Sequence, residues 1–253
     1  MNEKALLPLK EFEPITLKEM DSVKLMDRVD TKFVFRMDQL PGFLDELKRD
    51  YRVLEVNGNR SSRYETLYYD TPGLRLYHLH QAGKLNRYKV RSRKYLESDL
   101  SFFEVKFKSN KGRTIKHRIK CSGIENEISG RSAEFLQESS PLRASELIPS
   151  VWIYYTRITL VNKISAERLT LDIGLNVKHD GKEHLFENLV IAEVKQSKST
   201  FSPFLRLMKK NRLLPGSISK YCMGIMHTHP GVKMNNFKPK LRIINKTLYG
   251  KTA

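Results

Sequence analysis

The sequence predicts a mostly antiparallel β fold of the α+β class, a single sheet closed or nearly closed, with helices on its flanks. Three observations carry this expectation. About eight segments alternate polar and apolar residues with the two-residue period of a strand. Helical and strand patterns do not alternate along the chain as βαβ units would require. No Pro-, Gly- or Ser-rich linker divides the 253 residues, a length that one large domain accommodates.

The elements follow in order. Thr16 and Glu19 have the spacing of a capping box, and Leu17, Met20, Lys24 and Leu25 continue a short helix. Asp30-Thr31-Lys32-Phe33-Val34-Phe35 alternates as a strand. Met37 to Arg49 places Leu40, Phe43, Leu44 and Leu47 at helical spacing, with Pro41 in the first turn, where a missing N–H costs little. Arg63 to Tyr69 is a strand, stopped by the turn Asp70-Thr71-Pro72-Gly73. Leu74 to Gln81 reads as a short helix. Strands follow at Asn86 to Lys94, Ser101 to Lys108 and Arg113 to Cys121, the last two joined by the hairpin Ser109-Asn110-Lys111-Gly112. A partly helical stretch covers Glu125 to Ile148. Strands are expected again at Val151 to Val161, Arg168 to Ile173, Asn176 to Asp180 and Asn188 to Gln196. Helices at Ser202 to Arg212 and Ser217 to Met226 complete one domain over residues 1–230. Residues 231–253 read as a basic, loosely ordered tail.

Charge narrows the function. Lys and Arg number 46 against 28 Asp and Glu, a net +18. Such an excess calls for an anionic partner: nucleic acid, acidic lipid or a phosphate-rich small molecule. No apolar run has membrane-spanning length, and the first residues lack an apolar signal core. The expectation is a cytoplasmic protein whose basic tail is a candidate for contact at the inner face of a membrane. Cys121 and Cys222 match no zinc spacing and read as reduced thiols. No P-loop or dinucleotide fingerprint is present.

The strand faces say more. Arg87, Lys89, Arg91 and Arg93 share one face, with Tyr88 and Val90 on the other. Glu104, Lys106 and Lys108 oppose Phe103, Val105 and Phe107. Lys116, Arg118 and Lys120 lie together, as do Tyr155 and Arg157. Arg168, Thr170 and Asp172 alternate with Leu169, Leu171 and Ile173, and Glu193 and Lys195 with Val190, Ala192 and Val194. A wet outer face would mix its signs more evenly, because like charges across a ladder destabilise it. If the sheet closes, the basic faces line its interior and require anions. A polyphosphate chain fits: Arg forks bind its oxygens bidentately and Lys supplies point charges. The sparse carboxylates Glu193, Glu104 and Asp172, with Asp30 a weaker fourth, are candidates for a divalent metal, Mn²⁺ or Mg²⁺, bridging phosphates. His78 and His80 read as structural or surface residues. His227 and His229 read as a helix end, and Trp152 as buried packing.

Eight segments in this order resemble one family. They are Asp30-Thr31-Lys32-Phe33, Tyr68-Tyr69-Asp70-Thr71, Lys89-Val90-Arg91-Ser92-Arg93, Glu104-Val105-Lys106, Tyr155-Thr156-Arg157, Leu171-Asp172, Glu193-Val194-Lys195 and Ser219-Lys220-Tyr221. Together they resemble the polyphosphate polymerase domain of the vacuolar transporter chaperone (VTC) family, within the CYTH-like triphosphate tunnel superfamily, over roughly residues 20–228. The resemblance implies a closed eight-stranded triphosphate-tunnel barrel, basic inside, that takes ATP and inorganic polyphosphate or triphosphate. It implies phosphate contacts from Lys32, Arg91, Arg93, Lys106, Lys116, Arg118, Arg157 and Lys220, joined by Lys195, and a metal-binding role for Glu193. Among these, Arg91, Arg93, Lys106, Arg157 and Lys220 are expected at the reacting phosphates. Lys32, Lys89, Lys116, Arg118 and Lys195 are expected to hold the rest of the substrate.

The implied activity is transfer of the ATP γ-phosphate to a growing polyphosphate chain with release of ADP. Many tunnel hydrolases and cyclases begin with Glu-x-Glu-x-Lys. Here Arg28-Val29-Asp30-Thr31-Lys32 has one carboxylate before the lysine, which fits the polymerase branch better. The membrane-spanning and sensing parts of the eukaryotic complexes have no counterpart in this sequence. The resemblance therefore implies a bacterial, stand-alone domain, with any translocation left to a separate membrane protein. Two readings of the same fold stay open: a triphosphate hydrolase, and a non-catalytic polyphosphate or nucleotide sensor that regulates a membrane partner. No specific nucleic-acid partner is expected, since no reading helix or RNA-binding signature is present.

Overall fold

The computed structural model describes residues 3–22, 28–197, 201–216 and 218–250. Lys24, Leu25 and Ser217, named above, lie outside them. Strand β1 (Pro14–Ile15) and helix α1 (Leu17–Ser22) precede β2 (Arg28–Arg36), α2 (Leu40–Leu47), β3 (Tyr51–Leu54), β4 (Ser62–Asp70) and α3 (Arg75–Gln81). Then come β5 (Arg87–Tyr95), β6 (Leu100–Lys108), β7 (Thr114–Cys121) and α4 (Gly130–Ser139). The second half holds β8 (Ile148–Asn162), β9 (Glu167–His179), β10 (Lys182–Phe186), β11 (Leu189–Ser197), α5 (Pro203–Lys210), α6 (Lys220–Thr228) and α7 (Lys238–Tyr249). The Thr16–Glu19 capping box forms, with the Glu19 carboxylate accepting from the Thr16 N–H at 2.8 Å. No helix among the described residues is long and apolar enough to cross a membrane.

The strands form one mostly antiparallel sheet whose main path runs β2-β11-β9-β8-β4-β5-β6-β7. β10 adds to β9, and β3 pairs with β8 and, in parallel, with β1. Eight strands lie on the main path, the number expected. Among the described residues no pairing joins β7 to β2, so the path has two ends rather than a seam. Charge accounts for the free β7 edge: Arg118 and Lys120 are exposed, as are most of its residues, and keep the strand solvated.

One face of the sheet is apolar throughout. Phe33, Phe35, Leu169, Leu171, Val190, Ala192 and Val194 pack under α2 and α5. Further along, Leu67, Tyr69, Val90, Phe103 and Val105 pack under α4 through Leu136. These are the positions that the two-residue period assigns to one side. On the opposite face, Val151, Ile153, Tyr155, Leu175 and Val177 pack against Tyr221, Cys222, Met223 and Ile225 of α6. The rest of that face is charged.

Two differences from the sequence reading have clear causes. The expected strands at Arg168–Ile173 and Asn176–Asp180 are one strand, β9, with a shift in its pairing to β8 between Tyr154 and Thr156. Gly174 sits there with φ +60°, a conformation that glycine adopts without strain. The irregularity turns Leu175 and Val177 toward α6, whereas Leu171 and Ile173 face the other way. The tail is also ordered: α7 buries Ile244 and Leu248 in the α6 cluster and ends at Gly250 with φ +66°. Trp152 is only half-buried and stacks on Tyr154.

Candidate functional site

The charged part of the inner face is assembled by register. On β5 and β6, Arg91 pairs with Glu104 and Lys89 with Lys106. On β6 and β7, Glu104 pairs with Arg118 and Lys106 with Lys116. On β8 and β9, Arg157 stands opposite Asp172. On β11 and β2, Glu193 stands opposite Lys32. Strand parity therefore collects most of the expected residues on one continuous face, and α6 adds Lys220 from the end of its apolar contact.

Three carboxylates organise the cations. Glu104 is fully buried, takes Arg91 Nε at 2.6 Å and pairs with Lys116. Burial alone would raise its pKa, but Arg91, Arg93 and Lys116 hold it well below the usual carboxylate range. Asp172 receives Arg157 through a fork, Nε at 2.6 Å and Nη2 at 2.8 Å, and also pairs with Lys220. Arg157 and Lys220 outweigh burial and depress its pKa in the same way. Glu193 accepts from Lys32 Nζ at 2.7 Å, with Lys195 at 3.9 Å. Against burial, Lys195 and Lys32 bring it down to about 2. All three are ionised at neutral pH.

The remaining cations lack such partners. Arg93 is 7% exposed, donates to Thr66 Oγ1 at 3.1 Å and makes no ion pair among the described residues. Lys106 is half-buried and makes neither an ion pair nor a hydrogen bond among them. Arg91 beside it, then burial, push its pKa well down. Lys89 donates to Ser219 Oγ at 2.9 Å, and burial lowers its pKa. Burial also brings Lys116 down to about 8, although Glu104 opposes this. Such a face repels itself until an anion enters.

Aromatic rings hold the cations in place. Tyr64 and Tyr155 stack at 4.9 Å. Arg157 lies 5.0 Å and Arg93 5.4 Å from the Tyr64 ring centre, and Lys220 lies 4.7 Å from that of Tyr155. Tyr68 OH accepts from Arg91 Nη1 at 2.8 Å, and the surrounding cations lower its pKa despite full burial. Asp70 fixes α3 and α6 together: its carboxylate accepts from the N–H groups of Leu76 and Tyr77 at 2.8 and 2.9 Å and from Tyr221 OH. Tyr64, Thr66 and Ser219 were not singled out individually from sequence. Their signal is positional, on β4 beside β5 and at the cap of α6, and pairing order is needed to see it.

Not every expected residue joins. Arg118 is exposed and lies over the Phe102 ring at 4.4 Å. The three carboxylates stand on different strands, and no group of three or more His, Cys, Asp or Glu among the described residues is placed to hold a metal.

The model of the VTC domain matches residues 27–229, most of the chain. The chain belongs to the VTC domain family. The resemblance to this family read from the strand motifs is borne out. No curated sequence matches. Among solved structures, the VTC domain is similar to a candidate adenylate cyclase from Vibrio parahaemolyticus at 15% identity and a TM-score of 0.46, covering 78% of this chain and 99% of that one. It is similar to a candidate adenylyl cyclase from Hippeastrum, described as having a dominant triphosphatase activity, at 11% identity and 0.48, covering 80% and 98%. A conserved hypothetical protein from Pyrococcus furiosus gives 13% and 0.42, covering 78% and 99%. Similarities of this size carry no argument about the reaction.

Proposed function

We propose that this VTC domain is a metal-dependent polyphosphate polymerase that transfers the γ-phosphate of ATP to the end of an inorganic polyphosphate chain and releases ADP. The observation that carries the reading is the set Arg93, Lys106 and Lys89, buried or half-buried cations without a carboxylate partner among the described residues. Fixed cations spaced along neighbouring strands match a linear polyanion better than a compact one. Under this reading Arg91, Arg93, Lys106, Arg157 and Lys220 hold the reacting phosphates in line, and Lys32, Lys89, Lys116 and Lys195 hold the flanking ones. The terminal phosphate of the acceptor is already ionised, so no dedicated base is required. Catalysis is positioning and electrostatics. The anion would also draw β7 and β2 together and complete the barrel.

The donor set fits a divalent ion shared with substrate. Among the described residues Glu193 pairs with Lys32 and Lys195, which can turn to phosphate oxygens, whereas Asp172 is engaged by the Arg157 fork and Glu104 by Arg91. Mg²⁺ and Mn²⁺ sites of this kind use one or two carboxylates plus phosphates. Bound there, the metal would withdraw charge from the phosphoryl group. Glu193 is its proposed ligand, and Asp172 and Glu104 set the arginines.

The test follows polyphosphate and ADP in the same samples, with purified protein, ATP and Mg²⁺ or Mn²⁺, beside Arg93→Ala. Polymer with matching ADP, lost in the variant, is expected. Orthophosphate without polymer would replace the reading with a hydrolase. Nucleotide or polyphosphate binding without turnover would replace it with a sensor.

A further inference from the structure

Glu193 is the last acidic residue of the chain. The 60 residues after it hold 13 Lys and Arg and no Asp or Glu, so most of the +18 charge belongs to this stretch. The charged face uses two of these cations, Lys195 and Lys220, and leaves the others unexplained.

Helix α7 shows how part of the remainder is displayed. Ile244 and Leu248 are buried in the α6 cluster, with Leu241 packed against it. Arg242, Ile243 and Lys246 lie on the opposite side of the helix, with Tyr249 at its border. Ile243 is 61% exposed and Tyr249 54% exposed. Lys238, Arg242 and Lys246 are exposed and make no ion pair among the described residues. A helix kept only for solubility would mix signs on its outer side and avoid large apolar groups there.

We propose that this outer side of α7 docks on an anionic lipid bilayer. Arg242, Lys246 and Lys238 meet the headgroups, while Ile243 and Tyr249 enter the interfacial layer. The positive charge complements such a surface, and the acid-free stretch offers nothing to repel it. The proposal does not depend on the polymerase reading.

The test is co-sedimentation of the full chain with phosphatidylcholine vesicles, with and without phosphatidylglycerol. Four variants go beside the wild type: Arg242→Glu/Lys246→Glu, Ile243→Ser, Tyr249→Ser and Arg93→Ala. Anionic vesicles are expected to bind the wild type at least about tenfold more tightly than neutral ones, and less so at high salt. The charge reversal should abolish the preference, the serine variants should weaken it, and Arg93→Ala should retain it. Thermal melting reports folding, and the two exposed serine replacements keep the test open if the charge reversal does not fold. Equal binding to both vesicles, or a preference that survives the α7 changes, would overturn the proposal. So would a preference lost in Arg93→Ala or on adding free polyphosphate, since either would place the anion contact on the charged face instead.

Discussion

Arg91 and Arg93 stand two residues apart on β5 and face the same way, yet their removal should have unequal consequences for stability. Arg91 neutralises the fully buried Glu104. Arg91→Ala leaves that carboxylate, among the described residues, with Lys116 as its remaining ion-pair partner, at a cost of about 3–5 kcal/mol. Arg93 makes no ion pair among the described residues, and its charge adds to those that keep Glu104 ionised from a distance. Arg93→Ala should therefore destabilise the free protein less than Arg91→Ala, while its polyphosphate affinity falls more than about tenfold. Melting curves and titration calorimetry on both variants check this. Proton linkage gives a second prediction. The free-state pKa values of Lys106 and Lys116 are depressed, that of Lys116 to about 8, and a bound polyanion raises both. Binding should therefore take up protons once the pH passes the free-state value of Lys116, about 8, and affinity should fall as pH rises through the free-state values toward the bound ones. Calorimetry in buffers of different ionisation enthalpy reads the uptake directly. These residues were legible in the sequence because strand parity names a face without knowing any neighbour. Tyr64 and Thr66 were not, because their roles exist only through the pairing of β4 with β5 and β8.

At the scale of elements, α6 decides whether Lys220 reaches Asp172. The helix lies close because residue 224 has no side chain. A methyl group there would meet Val151 Cγ2 at 2.8 Å and Ile153 Cδ1 at 3.4 Å. Overpacking of this kind costs about 1–3 kcal/mol, more than the gain of up to about 1 kcal/mol from helix propensity. Gly224→Ala should lower the denaturant midpoint and also weaken polyphosphate binding, although it touches no charged group. Unchanged affinity would mean that Lys220 is positioned independently of helix depth. Strands β2, β4 to β8 and β11, the β6–β7 hairpin and the two helices before the tail were legible from period and punctuation. Gly174 reads as punctuation and divides β9 in sequence, although the alternation Leu169, Leu171, Ile173, Leu175, Val177 continues through it; the change of face comes from the bulge opposite β8, which period alone does not reveal. α7 was missed because its stability comes from Ile244 and Leu248 packing on a cluster assembled from distant strands, which local pattern does not reveal.

For the molecule as a whole, class and strand number were readable and closure was not. Closure depends on whether the first and last strands of the path meet, and their sequences are compatible with either outcome. The pairing path leaves β7 and β2 as separate ends among the described residues. A tube admits a polymer only by threading a terminus. A cleft with a side opening admits it anywhere along its length. Polyphosphate carrying bulky groups at both termini should therefore still bind the free protein, at a rate per chain that increases with the number of phosphates, as stopped-flow mixing would record. Release would need no terminus either. Long polymer would then exchange between copies of the protein by stepping sideways, and how far one copy extends a chain would depend on how long the opening stays shut.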